Sequence, residues 1–211
     1  VNGRFGGAPF AELVRALFAD WGLPAPEVTP APAVFDGFLV DRPQSLRSVL
    51  EPLSAAVSVI GADTGTGIRF VLLTRRPGDL VGEADFVDLG VETPLIRETR
   101  DEIAALPVEE RLRYFGSGRD FQIASARYRP PEGSTRQIEV ISVPASLNDG
   151  LATELAQVAL NARWTGCTTI AFSLPPSAID IMPGDIVTIR ANGRDREAVV
   201  EEIEELGHRE V

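Results

Sequence analysis

Phe35-Asp36-Gly37-Phe38-Leu39-Val40-Asp41-Arg42-Pro43-Gln44-Ser45-Leu46-Arg47-Ser48-Val49-Leu50-Glu51-Pro52-Leu53 sets the character of the chain. Phe35 and the run Phe38-Leu39-Val40 predict a strand over Val34–Val40, bulky apolar side chains being well suited to a pleated, half-buried surface. Asp41-Arg42-Pro43-Gln44-Ser45 then offers a helix start. Leu46, Val49, Leu50 and Leu53 recur at helical spacing behind it, one apolar stripe per face. Pro52 falls late in this helix and predicts a kink or an early stop, because it donates no hydrogen bond and crowds the preceding turn.

Working outward, Phe10, Leu13, Val14, Leu17, Phe18 and Trp21 form a second helical stripe, with Pro9 at its start and Gly22 at its end, each suited to its place. Leu23–Ala33 carries Pro24, Pro26, Pro30 and Pro32 and is expected as an extended linker. Downstream, Val57-Ser58-Val59-Ile60 and Ile68–Leu73 flank the turn residues Gly61–Gly67, a hairpin pattern. Strand, helix and hairpin in that order bury one face of a small sheet under the helix. Gly78, Gly82 and Gly90 break Pro77–Pro94, and a boundary is placed there. Strands are expected again at Glu110–Phe115, Phe121–Tyr128 and Gln137–Val143, with Pro130, Pro131 and Gly133 in the turn between the last two. A helix over about 148–164 follows, with Leu151, Leu155, Val158, Ala159 and Ala162 as its stripe and Asn148 or Asp149 as its cap. Thr168–Leu174 reads as a strand. Pro183-Gly184-Asp185 is expected as a tight turn into the next one, with Gly184 at positive φ. Asn192-Gly193 turns that strand back onto Ala198–Ile203. The fold class is therefore α+β, with two β-rich subdomains that each carry a packed helix: residues 1–85 (helix, strand, helix, hairpin) and residues 86–211 (β-rich with one long helix).

Composition narrows the functions. The chain has 211 residues, 44% of them hydrophobic, enough for a buried core. No apolar run approaches the roughly 18–20 residues of a membrane span, so no membrane anchor is expected. Val1-Asn2-Gly3-Arg4 has neither the basic start and apolar core of a signal peptide nor an initiator Met, and the chain is expected to be an internal piece of a longer protein. Formal net charge is −11, and every basic residue is Arg. The positive field that phosphate backbones require is missing from that balance.

Candidate chemistry is sparse. His208, the only histidine, lies three residues from the end, a poor place to hold a catalytic triad. Cys167 is the only cysteine and precedes an apolar run; a buried, inert thiol is expected. Gly3–Gly7 and Gly61–Gly67 are glycine-rich, but Lys is absent, which excludes a Walker-type phosphate loop. Asp101-Glu102, Glu109-Glu110, Asp180 and Asp185 are candidates for a two-carboxylate hydrolase. The blander reading of such pairs, and of Glu201-Glu202 and Glu204-Glu205, is a solvated charged face. No calcium-loop spacing exists, so no metal and no cofactor are expected. Trp21, Phe35, Phe38, Phe70, Tyr114, Phe121, Tyr128, Trp164 and Phe172 are expected in core packing.

Two stretches carry a resemblance. Phe35–Leu53 resembles the G-Y-x-x-x-R-P-x-S-x-R-x-x-L-x-P-L segment of a family of phage tail proteins. Phe172-Ser173-Leu174-Pro175-Pro176-Ser177-Ala178 through Met182-Pro183-Gly184-Asp185-Ile186-Val187 resembles its L-P-P-S-x-x-x-x-x-P-G-D-x-V turn. Phe38 stands where the family more often has Tyr, and Pro77–Arg100 has no counterpart in the pattern. That family includes the large tail-tip proteins of gene transfer agents and is similar to the baseplate hubs of longer-tailed phages. Some members also carry a TIM-barrel, glycoside-hydrolase-like domain. No such barrel is legible here, and that activity is not carried over.

The resemblance implies a structural, non-enzymatic module of a tail-tip or baseplate hub, made in the bacterial cytoplasm and built into a phage-like particle. Its implied partners are other tail proteins and further copies of the chain, a homotrimer in the assembled hub. DNA passes such a hub without being specifically bound, and an acidic wall would repel its backbone. The alternative is a module that binds carbohydrate or the host surface, which a concave aromatic cluster beside carboxylates would favour.

Overall fold

In chain order the elements are β1 (Arg4–Pro9), α1 (Phe10–Asp20), β2 (Glu27–Val28), β3 (Val34–Phe38), α2 (Leu46–Val57), β4 (Val59–Asp63), β5 (Ile68–Leu72) and β6 (Asp79–Gly82). They continue with β7 (Ile96–Arg100), β8 (Pro107–Gly116), β9 (Ile123–Tyr128), β10 (Gln137–Leu147), α3 (Asp149–Thr165), β11 (Thr168–Leu174), β12 (Ile186–Ala191), β13 (Arg194–Val199), β14 (Glu204–Glu205) and β15 (Arg209–Glu210). The structure, a computed structural model, describes residues 4–73, 78–90, 93–131, 136–178, 180–191, 193–205 and 209–211. His208, Asn192, Gly133 and Gly3, which figured in the expectations, lie outside the described residues. The α+β class holds, with three α-helices on several sheets among the described residues.

The largest sheet runs β1-β3-β10-β8-β9. Its β10–β8 pair is parallel and its other pairs are antiparallel. β1 forms from the glycine-rich start, and its register on β3 shifts between Phe5 and Ala8, where Gly6-Gly7 accommodates a bulge. Helix α3 lies on β8 and β9, and α2 packs on β10 and against α3. Smaller sheets run β2-β5-β4, β13-β12-β6 and β14-β15-β11-β7.

The expected division at residue 85/86 does not coincide with these sheets. One core joins Phe10, Val14, Phe35, Val49 and Leu53 to Leu112, Tyr114, Ala145, Leu147 and Ala156. A second, smaller core joins Val81 to Phe172, Leu174, Val187, Ile189 and Val200. β8–β10 therefore complete the sheet that β1 and β3 begin, while β6 crosses over to pair with β12 in parallel. Parallel partners need a long crossover, and such pairings separate sequence neighbours.

Local expectations differ in several places. The strand that pairs with β12 is β13, Arg194–Val199, where Ala198–Ile203 was expected. α2 continues through Pro52 to Val57, because Leu46, Val49, Leu50, Leu53, Ala56 and Val57 all enter the core and outweigh a Pro cost of about 3 kcal/mol. In α3 the buried stripe is Ala152, Leu155, Ala156, Ala159 and Leu160, and Val158 is exposed. Small alanines let the helix approach the sheet more closely than the larger side chains could. The hairpin on β9 is made with β8, not with β10. Trp21 and Phe121 are 37% and 49% exposed, outside the core assigned to the aromatics.

Candidate functional site

Glu109 and Glu110 are consecutive on β8, so the pleat sends them to opposite faces. Both are buried, 5% and 1% exposed, which corrects the expectation of a solvated face. Glu110 lies on the face that α3 covers, where β9 places Tyr128 and β10 places Glu139 opposite it. Its Oε1 has no hydrogen-bond partner among the described residues. Burial, followed by the charge of Glu139, pushes its carboxyl up to about 7, against the opposing pull of Arg163. Glu109 faces the other way and accepts from Arg111 Nε at 2.5 Å, with Arg129 at 3.9 Å. The Arg111 hydrogen bond, helped by the charges of Arg111, Arg127 and Arg129, holds it below the usual carboxylate range despite burial. Two carboxylates on opposite faces cannot share one scissile bond as acid and base.

The other acidic candidates are dispersed. Asp101 and Glu102 line a cleft of about 490 Å³ with Leu106, Gln137, Glu139 and Arg163, and Arg163 donates to Glu139 at 3.3 Å. Asp180 is exposed, as are Glu201, Glu202 and Glu204. Cys167 is buried. Among the described residues, no three His, Cys, Asp or Glu side chains gather as metal ligands, and no helix is long and apolar enough to cross a membrane.

Pro183-Gly184-Asp185 forms a turn that reaches the other core. Gly184 sits at φ 89°, a left-handed conformation that costs a side-chain-bearing residue. Its N–H donates to Val200 O at 2.7 Å. Asp185 Oδ2 accepts from Met182 N, and Asp185 Oδ1 accepts from Arg69 Nη2 at 2.7 Å. The same Nη2 donates to Pro183 O at 3.0 Å. Arg69 belongs to β5, so one half-buried guanidinium ties the sheet under the first core to the turn entering the second. A Cβ on Gly184 would lie 2.9 Å from Val71 Cγ2. Sequence spacing gave the turn residues and had no means of locating Arg69, 114 residues upstream of Pro183.

A second knot fixes α3. Asn148 caps it by accepting from Leu151 N, and Asp149 accepts from Tyr114 Oη at 2.6 Å and from Arg119 at 2.5 Å. Burial, then the bond to Asp149, pushes the Tyr114 phenol up to about 12. At the far end Trp164 Nε1 donates to Pro107 O at 2.8 Å. Both ends of α3 are thus pinned to β8 or to the turn that follows it.

One concave surface holds an exposed aromatic. Trp21, Asp20, Phe38, Val40, Asp41, Arg42 and Pro43 line a cleft of about 340 Å³ together with the α1 residues Leu13, Ala16 and Leu17. It includes the Arg-Pro step of the stretch read first.

Residues 45–203 match the family described as "Putative phage tail protein". The chain belongs to this phage tail protein family. Among curated proteins no significant match exists. Solved structures are similar to this tail protein along nearly all its length. A chain of the virion of a native gene transfer agent particle superposes with a TM-score of 0.87 at 20% identity, over 97% of this chain and 46% of that one. The tail protein from Neisseria meningitidis MC58 gives a TM-score of 0.60 at 12% identity, over 92% of this chain and 60% of that one. The 43 kDa tail protein of prophage MuSo2 from Shewanella oneidensis gives 0.61 at 12% identity, over 98% and 65%. This tail protein therefore spans less than half of the gene transfer agent chain it matches.

Proposed function

We propose that this phage tail protein is a structural module of a tail-tip or baseplate hub, acting in tail assembly and in passage of DNA out of a phage-like particle. The observation that carries the reading is the likeness of almost the whole chain to a component of a gene transfer agent virion. Its physical character supports that reading: two cores clasped by Arg69 and Asp185 and paired carboxylates turned to opposite faces. In this reading the module needs no cofactor or metal, catalyses nothing itself, assembles with other tail proteins and with its own copies as a trimer, and lets DNA pass without binding it specifically. Antibody raised against the chain should mark the end of the tail distal to the head, and disruption of the gene should give particles with defective tips. Label confined to the capsid would refute the placement.

The alternative, a module for carbohydrate or host-surface binding, has one observation in its favour: exposed Trp21 beside Asp20 and Asp41 in a concave cleft. Glycan-array binding lost on Trp21→Ala would support it, and an array without signal would count against it.

A further inference from the structure

The face of the large sheet opposite α3 has a charge that the composition does not announce. Register places Arg111 directly across from Arg127, and Arg113 across from Ser125. Arg129, just past β9, reaches the same face through Glu109. Four guanidiniums meet one carboxylate there, in a chain whose formal net charge is −11. Arg113 and Arg127 have no ion pair among the described residues, and like charges directly opposite on a sheet are destabilising. Exposed aliphatic side chains share this face: Ile123, 67% exposed, with Ile138 and Val140. Elsewhere the chain carries the complement. Residues 78–90 hold Asp79, Glu83, Asp85 and Asp88 with no basic residue, and Leu80 and Leu89 are exposed among them.

We infer that the arginine-bearing face of β8–β9–β10 docks on the acidic 79–89 segment of a second copy of this chain. The contact is heterologous: each copy has one surface of each kind, and such contacts close into rings when the rotation permits. Arg is enriched in protein interfaces, whose buried centres are apolar. Duplex or single-stranded DNA fits less well, since the exposed apolar groups are aliphatic and offer bases no stacking platform. Covering this face also removes the patch that would hold a passing phosphate backbone. This inference rests on the proposed tail-assembly role and assigns the surfaces through which copies meet.

Sedimentation velocity of the full chain over a range of concentrations tests it. Wild type should self-associate. Arg113→Glu/Arg127→Glu and Asp79→Arg/Asp88→Arg should each weaken association by about tenfold or more, and a chain carrying all four substitutions, which swaps the charges at every contact of a ring of any size, should recover it. All four side chains are exposed, so melting temperatures should stay near wild type; Asp79→Arg alone replaces the double variant if its turn is lost. A chain that stays monomeric, variants that associate like wild type, or a fourfold variant that does not recover association each overturns the assignment. So does retention of duplex DNA by wild type that Arg113→Glu/Arg127→Glu abolishes. Any of these leaves the tail-tip placement to be decided separately by the antibody label.

Discussion

Replacing Glu110 by Gln isolates one buried charge and gives a stability change with a definite sign. Glu110 is 1% exposed, its Oε1 lacks a partner, and its carboxyl titrates near 7 in the fold against a reference of 4.5. Its folded-state value is raised, so between those limits the native state holds a proton that the unfolded chain has lost. Stability therefore falls as pH rises through this window and is fully present below it. At about 1.4 kcal/mol per pH unit the loss is about 3 kcal/mol. Glu109 and Asp149, both held low, contribute in the opposite sense, and only at more acid pH. Urea unfolding followed by Trp fluorescence between pH 5 and 8, at fixed ionic strength, measures it. The difference between wild type and Glu110→Gln removes every other titrating group. Wild type should lose stability across the window relative to the variant, which should be the more stable at pH 8 by about 1–3 kcal/mol. Parallel curves would refute the reasoning, because they would mean that Glu110 ionises in the fold as it does in water.

Other expectations follow from packing. Gly184→Val should destabilise by about 2–3 kcal/mol, through left-handed strain and contact with Val71, read as a lower urea midpoint. Gly78→Ala should cost several degrees of melting temperature, since its Cβ would overlap the Ile186 carbonyl where β6 meets β12. Leu112→Ala, fully buried beneath α3, should cost about 3 kcal/mol in the same assay. Limited proteolysis should cut first within 23–33 or 77–94 and leave α3 intact, as mass spectrometry of the first fragments would show.

Most elements were legible because their residues satisfy local rules. The stripes of α1 and α2 follow helical spacing, and Ser45 caps α2 by accepting from Ser48 N. The rotation of α3 was not legible: Ala152 and Ala156 are weak apolar signals beside Leu151 and Val158, yet close approach to a sheet selects small side chains. The grouping of strands was hidden for another reason. β8 pairs in parallel with β10, and β6 with β12, and a parallel pair leaves no turn signature between its strands. The 85/86 division followed turn residues, which mark where the chain bends and say nothing about which strands share a core.

Charge shows the same limit more sharply. Net charge is a sum over the chain, while repulsion or docking is decided by what a single face presents. The acidity summed in −11 is divided: arginines at 111, 113, 127 and 129 gather on one sheet face, and Asp79, Glu83, Asp85 and Asp88 fall in a segment without a basic residue. Alternation along β8 carries the information, since 109, 111 and 113 point one way and 110, 112 and 114 the other. Pairing β8 with β9 turns that pattern into a surface, because it sets Arg127 beside Arg111. Strand period can therefore sort charges within one segment. Only register, which the spacing of residues left open here, can decide whether two segments add their charges or cancel them.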